Sequence, residues 1–316
     1  MTELLHLTVR AMALEAIGIV SLELVHPDGL ELPPFTPGAH LDVHIRPGLT
    51  RSYSLCNDPR ERHRYVIAVL NAANTRGGSR AMHESVRVGQ TLSVTIPRNH
   101  FPLAPAASRH LLLAGGIGIT PLLAMVEHLQ ATGQEFVLHY CTRDAARTAF
   151  RSRIAALAGP GQAVLHHDGG RVADGLDITS LLKRQPSGTH LYYCGPPGFM
   201  EAVKQASSHW REGTVHFEYF DPPPVASPTA TTEFSVVVAS SGQSYPVGAN
   251  ENIVDVLRRQ GVAIETSCDA GVCGTCKTRY LGGEPLHNDF VLTDAEHAQW
   301  MTPCCSRALG SIVLDI

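Results

Sequence analysis

Three cysteines near the C-terminus fall as Cys268-x4-Cys273-x2-Cys276, and a fourth follows at Cys304. Thiolates at that spacing are the ligand layout of a plant-type [2Fe–2S] cluster, a one-electron carrier. Gly271 and Gly274 let the backbone turn tightly around such a group, and Ala270 and Thr275 keep bulk away from the sulfurs. A structural zinc site is the bland alternative, but zinc ligands usually come as two close pairs, and here the last ligand stands alone after a long gap. Cys305 adjoins Cys304, so spacing alone leaves two candidates for the fourth ligand.

A second set of residues suits a dinucleotide. Leu113 runs into Ala114-Gly115-Gly116-Ile117-Gly118-Ile119-Thr120-Pro121 and then an apolar helix over 122–129. Thr120 is expected as the helix cap and Pro121 as its first residue, with the N–H groups around Gly115, Gly116 and Gly118 free to hold a pyrophosphate. Pro121 stands where a third glycine would complete the usual fingerprint, so a plain tight turn stays open as a reading. Later, Tyr193-Cys194-Gly195-Pro196-Pro197-Gly198-Phe199-Met200 follows a strand, at the strand end where open α/β sheets bind ligands. Cys194 there could lie against a nicotinamide, with Gly195 and Pro196 shaping the approach; a turn with a buried thiol is the alternative. Asp144, after the strand 136–140, favours a free 2′-hydroxyl and hence NADH, whereas Arg143 and Arg147 could equally invite a phosphate.

Arg51-Ser52-Tyr53-Ser54 sets a cation, a ring and hydroxyls along one strand, with Arg51 and Tyr53 on the same face. Arg76-Gly77-Gly78-Ser79 precedes a helix expected over 80–86 and forms a candidate anion site. A surface arginine beside a Gly-Gly turn explains either stretch alone. Their joint presence ahead of a nucleotide loop favours a face that holds a phosphate and a flat ring together.

The chain has 316 residues, 44% hydrophobic and 17% charged, which suits two or three soluble globular domains. Short β-type runs at 7–9, 17–24, 40–45, 51–55, 65–70 and 91–96 point to a barrel over residues 1–103. Apolar strands alternating with helical stretches point to a parallel α/β domain over 104–221. Residues 222–232, rich in proline, read as a semi-rigid linker. A strand at 234–238, its hairpin partner at 245–247, a helix at 252–260 and a closing strand at 311–316 make a small mixed α+β sheet over 233–316. Net charge is −4, which leaves no basic footprint for nucleic acid; residues 233–316 hold ten Asp or Glu against five Lys or Arg. That acidity suits docking to a basic partner, and solubilising charge explains it equally well. No signal peptide or membrane span is evident, so the cytoplasm is expected. Cys56 and Cys141 read as buried, inert thiols, and the seventeen histidines show no metal-binding spacing.

Together these residues resemble the phthalate dioxygenase reductase family over nearly the full length. The resemblance rests on Arg51-x-Tyr53-Ser54, Arg76-Gly77-Gly78-Ser79, the Gly115 to Pro121 loop, Tyr193-Cys194-Gly195-Pro196, Phe217-Glu218-x-Phe220 and the cluster cysteines. It implies a β-barrel flavin domain, an α/β NAD domain and a β-grasp ferredoxin domain, in that order. It implies FMN rather than FAD. It further implies Cys304 as last ligand, opening a Cys-x-Ser-Arg motif with Cys305 at the variable position. Catalytic roles fall on Cys194 and Ser54, and cofactor contacts extend to Thr120 and Phe220. The implied activity is electron transfer from NADH through FMN and the cluster to a separate Rieske-type oxygenase, by a monomer. A cluster-bearing redox sensor with vestigial nucleotide domains and a zinc-binding regulatory protein are the competing readings.

Overall fold

The computed structural model describes residues 4–72, 77–220 and 232–316; Arg76 and most of the proline-rich linker lie outside the described residues. The chain divides into two units, Met1–Phe220 and Asp221–Ile316.

In the first unit, β1 (Leu4–Ala16), β2 (Ile19–Val25), β3 (His40–Arg46), β4 (Leu49–Ser54), β5 (Tyr65–Leu70) and β6 (Thr91–Thr95) pair antiparallel in the order β4-β3-β6-β1-β2-β5. The two edges meet where Leu55 bridges Ile67 and the Cys56 N–H donates to the Val66 carbonyl (2.9 Å), which closes the sheet into a barrel. Alternate residues such as Leu22, Leu24, Leu41, Val43, Ile67 and Val94 point inward and fill it. β1 is far longer than the apolar run at 7–9 suggests, and it turns at Gly18 into β2 rather than leaving one strand over 17–24. Residues 10–14 are exposed or half-buried, and the run Ala11-Met12-Ala13-Leu14 lacks the apolar–polar alternation that would mark a barrel strand.

After α1 (Gly78–Glu84), a second sheet is built from β7 (Arg109–Gly115), β8 (Glu135–Thr142), β9 (Ala163–His167), β10 (Thr189–Cys194) and β11 (Val215–Glu218). All pairs are parallel, in the order β11-β10-β7-β8-β9. α2 (Ile119–Thr132), α3 (Arg151–Leu157), α4 (Ile178–Leu182) and α5 (Pro197–Ala206) supply the helical connections. β10 is buried along its whole length, as a central parallel strand must be. Successive strands run outward from β7 on one side and return beside it as β10, so the carboxyl ends of β7 and β10 frame a topological switch point.

α2 starts earlier than the cap reading of Thr120 expects. A 3₁₀ turn over Gly116–Gly118 begins the winding, Gly118 is the cap residue, and Thr120 lies buried inside the first turn with its Oγ1 donating to the Ile117 carbonyl (3.1 Å). Pro121 is the third helical residue, where its missing N–H still costs no intrahelical bond.

The second unit holds β12 (Phe234–Val238), β13 (Ser244–Val247), α6 (Ile253–Arg259), β14 (Thr278–Leu286), α7 (Asp294–His297), β15 (Trp300–Met301) and β16 (Arg307–Leu314). The sheet order is β13-β12-β16-β14-β15, with β12 and β16 parallel and the other pairs antiparallel. Asn252 caps α6 by accepting from the Asp255 N–H (2.8 Å), and Val254 and Leu257 pack on Val236, Ile312 and Leu314. β14 escapes the sequence reading because Gly282, Gly283 and Pro285 break its pattern, and its pairing with β16 is correspondingly irregular.

Candidate active site and cluster loop

The switch point brings together the two glycine motifs. A Cβ on Gly118 would lie 2.1 Å from the Cys194 carbonyl oxygen, and one on Gly195 would meet Phe199 at 2.6 Å and the Gly115 Cα at 3.0 Å. Glycine at these positions lets the loop after β7 lie directly on the loop after β10. Beside them is a cavity of about 500 Å³, lined by Gly115, Gly116, Cys141, Arg143, His166, Asp168, Pro196 and Phe199 among others. Three of these residues, Cys141, His166 and Asp168, were not expected at a site, and Phe199 stood in the Tyr193 to Met200 motif without a role. Cys141 is half-buried rather than fully buried, and burial pushes its thiol up to about 12, which keeps it protonated and unreactive. Asp144 does not line this cavity. It accepts from the Arg147 N–H (3.0 Å), capping a 3₁₀ turn, and pairs with the Arg147 guanidinium.

Cys194 ends β10 in register with Ala114 on one side and Glu218 of β11 on the other. It is fully buried, and burial together with the Glu218 carboxylate raises its thiol pKa well above the ordinary value. Ser54, at the end of barrel strand β4, donates its Oγ to Glu218 Oε2 (3.3 Å). His40 joins the group from β3, its Nδ1 3.9 Å from Glu218 Oε1. Burial pushes His40 down to about 4, against the pull of Asp42, so it is neutral near pH 7. Barrel and parallel sheet thus meet through Ser54, His40, Glu218 and Cys194. Glu218 carried no role in the sequence reading and His40 was not singled out, because only the tertiary fold brings residues so far apart in the chain into contact.

On the barrel, Arg51 and the glycine turn come together. A Cβ on Gly78 would sit 2.6 Å from Arg51 Cγ, so the Arg51 side chain lies across the start of α1, where Ser79 is the second residue. Gly77, at φ 88, makes the turn. Ser52 Oγ donates to Asp42 Oδ1 (2.7 Å), and Tyr53 packs partly buried against the barrel core. An arginine, a helix start and a half-buried ring on one face fit an FMN phosphate and ring. Phe220, half-buried, closes the first unit.

In the second unit, Cys268, Cys273, Cys276 and Cys304 are all buried and none is in a disulfide. Cys268 lies against Cys273 and Cys304, and Cys304 also against Cys276, so the four thiols form one group. The neighbouring Cys268 sulfur and burial both push the Cys273 thiol up, the cost of packing sulfurs together with their protons. Such a donor set fits a cluster that takes the sulfurs as thiolates. Cys305 touches this group through Cys304, but its thiol also engages Thr302, its Sγ 3.1 Å from Thr302 Oγ1, and it has no contact of its own with Cys268, Cys273 or Cys276 among those described. Arg307 anchors this segment, donating to the carbonyls of Glu251 (2.8 Å), Gly248 (3.1 Å) and Thr232 (3.1 Å).

Residues 236–309 match the family model of the 2Fe-2S iron-sulfur cluster binding domain, and residues 95–211 match the N-terminal domain of dimethylamine monooxygenase subunit DmmA-like proteins. The reductase subunit of tert-butanol monooxygenase / tert-amyl alcohol desaturase from Aquincola tertiaricarbonis is 47% identical, over 99% of this chain and 96% of that protein. Vanillate O-demethylase oxidoreductase from Pseudomonas putida is 45% identical, over 96% of each. A solved phthalate dioxygenase reductase, described as a modular structure for electron transfer from pyridine nucleotides to [2Fe–2S], is 41% identical, with 99% of this chain and 98% of that one covered and a TM-score of 0.77. With barrel, parallel sheet and four-thiol loop following one another as in that structure, the chain belongs to the phthalate dioxygenase reductase family of oxidoreductases.

Proposed function

We propose that this protein draws electrons from NADH and delivers them, through FMN and a [2Fe–2S] cluster, to a separate oxygenase of the Rieske type. The observation that carries the reading is the junction where Ser54, Glu218 and Cys194 meet, because it joins the Arg51 face of the barrel to the strand end beside the dinucleotide cavity. When bound, FMN supplies hydride acceptance with single-electron release, and the cluster supplies one-electron carriage.

The chain's own residues do the positioning. Gly118 and Gly195 let the two loops close on each other, so that a ring lying on them would approach bare backbone beside Cys194. Glu218 accepts from Ser54 and sits beside buried Cys194, holding hydroxyl, carboxylate and thiol in one fixed group. Arg51 and the start of α1 at Gly78 and Ser79 offer positive charge and N–H groups to a terminal phosphate. Asp168 faces the cavity and would take ribose hydroxyls, which supports NADH; Arg143 beside it is the feature that favours NADPH. Cys268, Cys273, Cys276 and Cys304 would hold the cluster, leaving Cys305 outside the set. We assign barrel residues 1–103 to flavin, 104–221 to NAD and 233–316 to the cluster, in a monomer of the reducing cytoplasm, which suits eight unpaired cysteines.

Purified protein tests the reading directly. Acid-released flavin should be FMN by chromatography, and NADH should bleach both flavin and cluster bands before an added Rieske oxygenase reoxidises them. A colourless protein containing zinc and no flavin, or one whose cluster NADH cannot reduce, refutes it.

A further inference from the structure

Outside the cluster and the nucleotide cavity, among the described residues one group of side chains has the makings of a metal centre. His287 Nδ1, an Asp289 carboxylate oxygen and His297 Nε2 lie within 4.8 Å of one another. His297 Nε2 is 3.1 Å from Asp289 Oδ1, and His287 Nδ1 is 3.8 Å from the same oxygen. Donor atoms around a tetrahedral zinc ion stand about 3.3 Å apart, given bonds of about 2.0–2.1 Å, so the two distances to Asp289 are near what an ion requires. The Asp289 side chain has 0% exposure, and His287 Nδ1 is a buried nitrogen without a hydrogen-bond partner. The Asp289 carboxylate already accepts from the Leu292 N–H (2.9 Å) and lies 3.1 Å from His297 Nε2, whereas the orphaned His287 Nδ1 is costly to keep, and a cation between it and the carboxylate would satisfy it. The rings of His287 and His297 stack at 3.9 Å with planes 19° apart, so one ring must turn for both in-plane lone pairs to meet one ion; His287 also engages the backbone of His297, the kind of outer contact that orients a ligating ring.

We propose that His287, Asp289 and His297 form a second metal site, distinct from the four-cysteine set, that takes a divalent transition ion of the zinc class with one position left to water. Two imidazoles and one carboxylate favour such an ion over Mg²⁺ or Ca²⁺, which prefer oxygen ligands throughout. The site is coupled to the cluster loop. The Phe290 N–H donates to the Gly271 carbonyl (2.9 Å), and Asn288 Nδ2 donates to the Cys305 carbonyl (3.1 Å). A bound ion therefore ties residues 287–297 to the loop that carries Cys268 and Cys273 and to the segment that carries Cys304, and it stabilises the loaded unit by binding only the folded form.

The test uses chelator-washed holoprotein titrated calorimetrically with ZnCl₂, while the visible spectrum of the cluster is followed. One zinc should bind per chain without bleaching the cluster, Mg²⁺ and Ca²⁺ should give no comparable heat, and zinc should raise the temperature at which the cluster colour is lost. His297→Gln and His287→Gln should each weaken zinc binding at least ~10-fold and remove the thermal effect while retaining the cluster spectrum. Zinc-edge X-ray absorption of the unaltered protein, which needs no variant, should show nitrogen and oxygen donors with two imidazoles. Sulfur ligation, uptake that bleaches the cluster, equal binding of Mg²⁺, or undiminished affinity in both variants overturns the proposal.

Discussion

Gly118→Ala isolates the steric demand at the junction of the two nucleotide loops. Gly118 has an ordinary helical φ of −61°, so alanine carries no conformational penalty there. Its methyl would lie 2.1 Å from the Cys194 carbonyl oxygen and 2.4 Å from the carbonyl carbon, where ordinary contact begins at 3.4 Å. The loops must part by about 1.3 Å, the difference between those separations, and backbone on both sides gives no flexible side chain to absorb it. Displacement on that scale costs ~100-fold in a reaction that depends on alignment, and kcat/KM for NADH with ferricyanide should fall by about that factor. Gly133→Ala, at the far end of α2, is the control. Its φ of 66° is left-handed and nothing lies within 4 Å of its would-be Cβ, so it should cost about 1–2 kcal/mol of stability with little loss of rate. Steady-state kinetics on variants matched for flavin and iron content decide the matter. A Gly118→Ala enzyme within about threefold of the parent in kcat/KM would refute the reasoning that this contact sets the nicotinamide approach.

Three further outcomes follow from the geometry. Cys304→Ser should lose the cluster, whereas Cys305→Ser should keep its visible spectrum, since Cys304 meets both Cys268 and Cys276 while Cys305 meets Cys304, Thr302 and Ser306; the reverse pattern would exchange the assignment. Asp168→Ser should lower the NADH-to-NADPH ratio of kcat/KM at least ~10-fold by removing both a ribose acceptor and a charge that repels a 2′-phosphate, whereas Asp144→Ser should leave the ratio nearly unchanged because Asp144 is engaged with Arg147. The first unit should lose stability in acid: burial pushes His40, His139 and His216 each from 6.5 down to about 4. The unfolded chain binds those protons first, so the contribution is complete above pH 6.5 and declines as pH falls toward 4. Urea midpoints followed by Trp210 fluorescence in a Trp300→Phe background should drop between pH 7 and pH 5, less steeply in His216→Phe; a flat profile would contradict neutral burial of these rings.

Local chemistry made much of this protein readable in one dimension. A cluster ligand set is a matter of residue type at short spacing, so Cys268, Cys273 and Cys276 announce themselves, and the strand–glycine–helix succession at Leu113 to Pro121 follows from turn and cap chemistry alone. Alternating and continuous apolar runs likewise separate a barrel from a parallel sheet, because the period of burial differs between a strand with one buried face and one buried on both. The sequence could not show which distant groups would meet. Glu218 receives Ser54 only because β11 lies beside β10 and the barrel packs where those strands end. Asp168 enters the cavity, and Asp144 is absent from its lining, because the short turn after β8 consumes the Asp144 carboxylate as its own cap. Cys304 and Cys305 are neighbours in sequence with thiols of one kind, and only the backbone path between Thr302 and Arg307 brings the first against Cys268 and Cys276 and leaves the second against Cys304 and Thr302. Contacts between residues far apart in the chain carry no local signal; they exist once the loops have closed and the sheets have chosen their order.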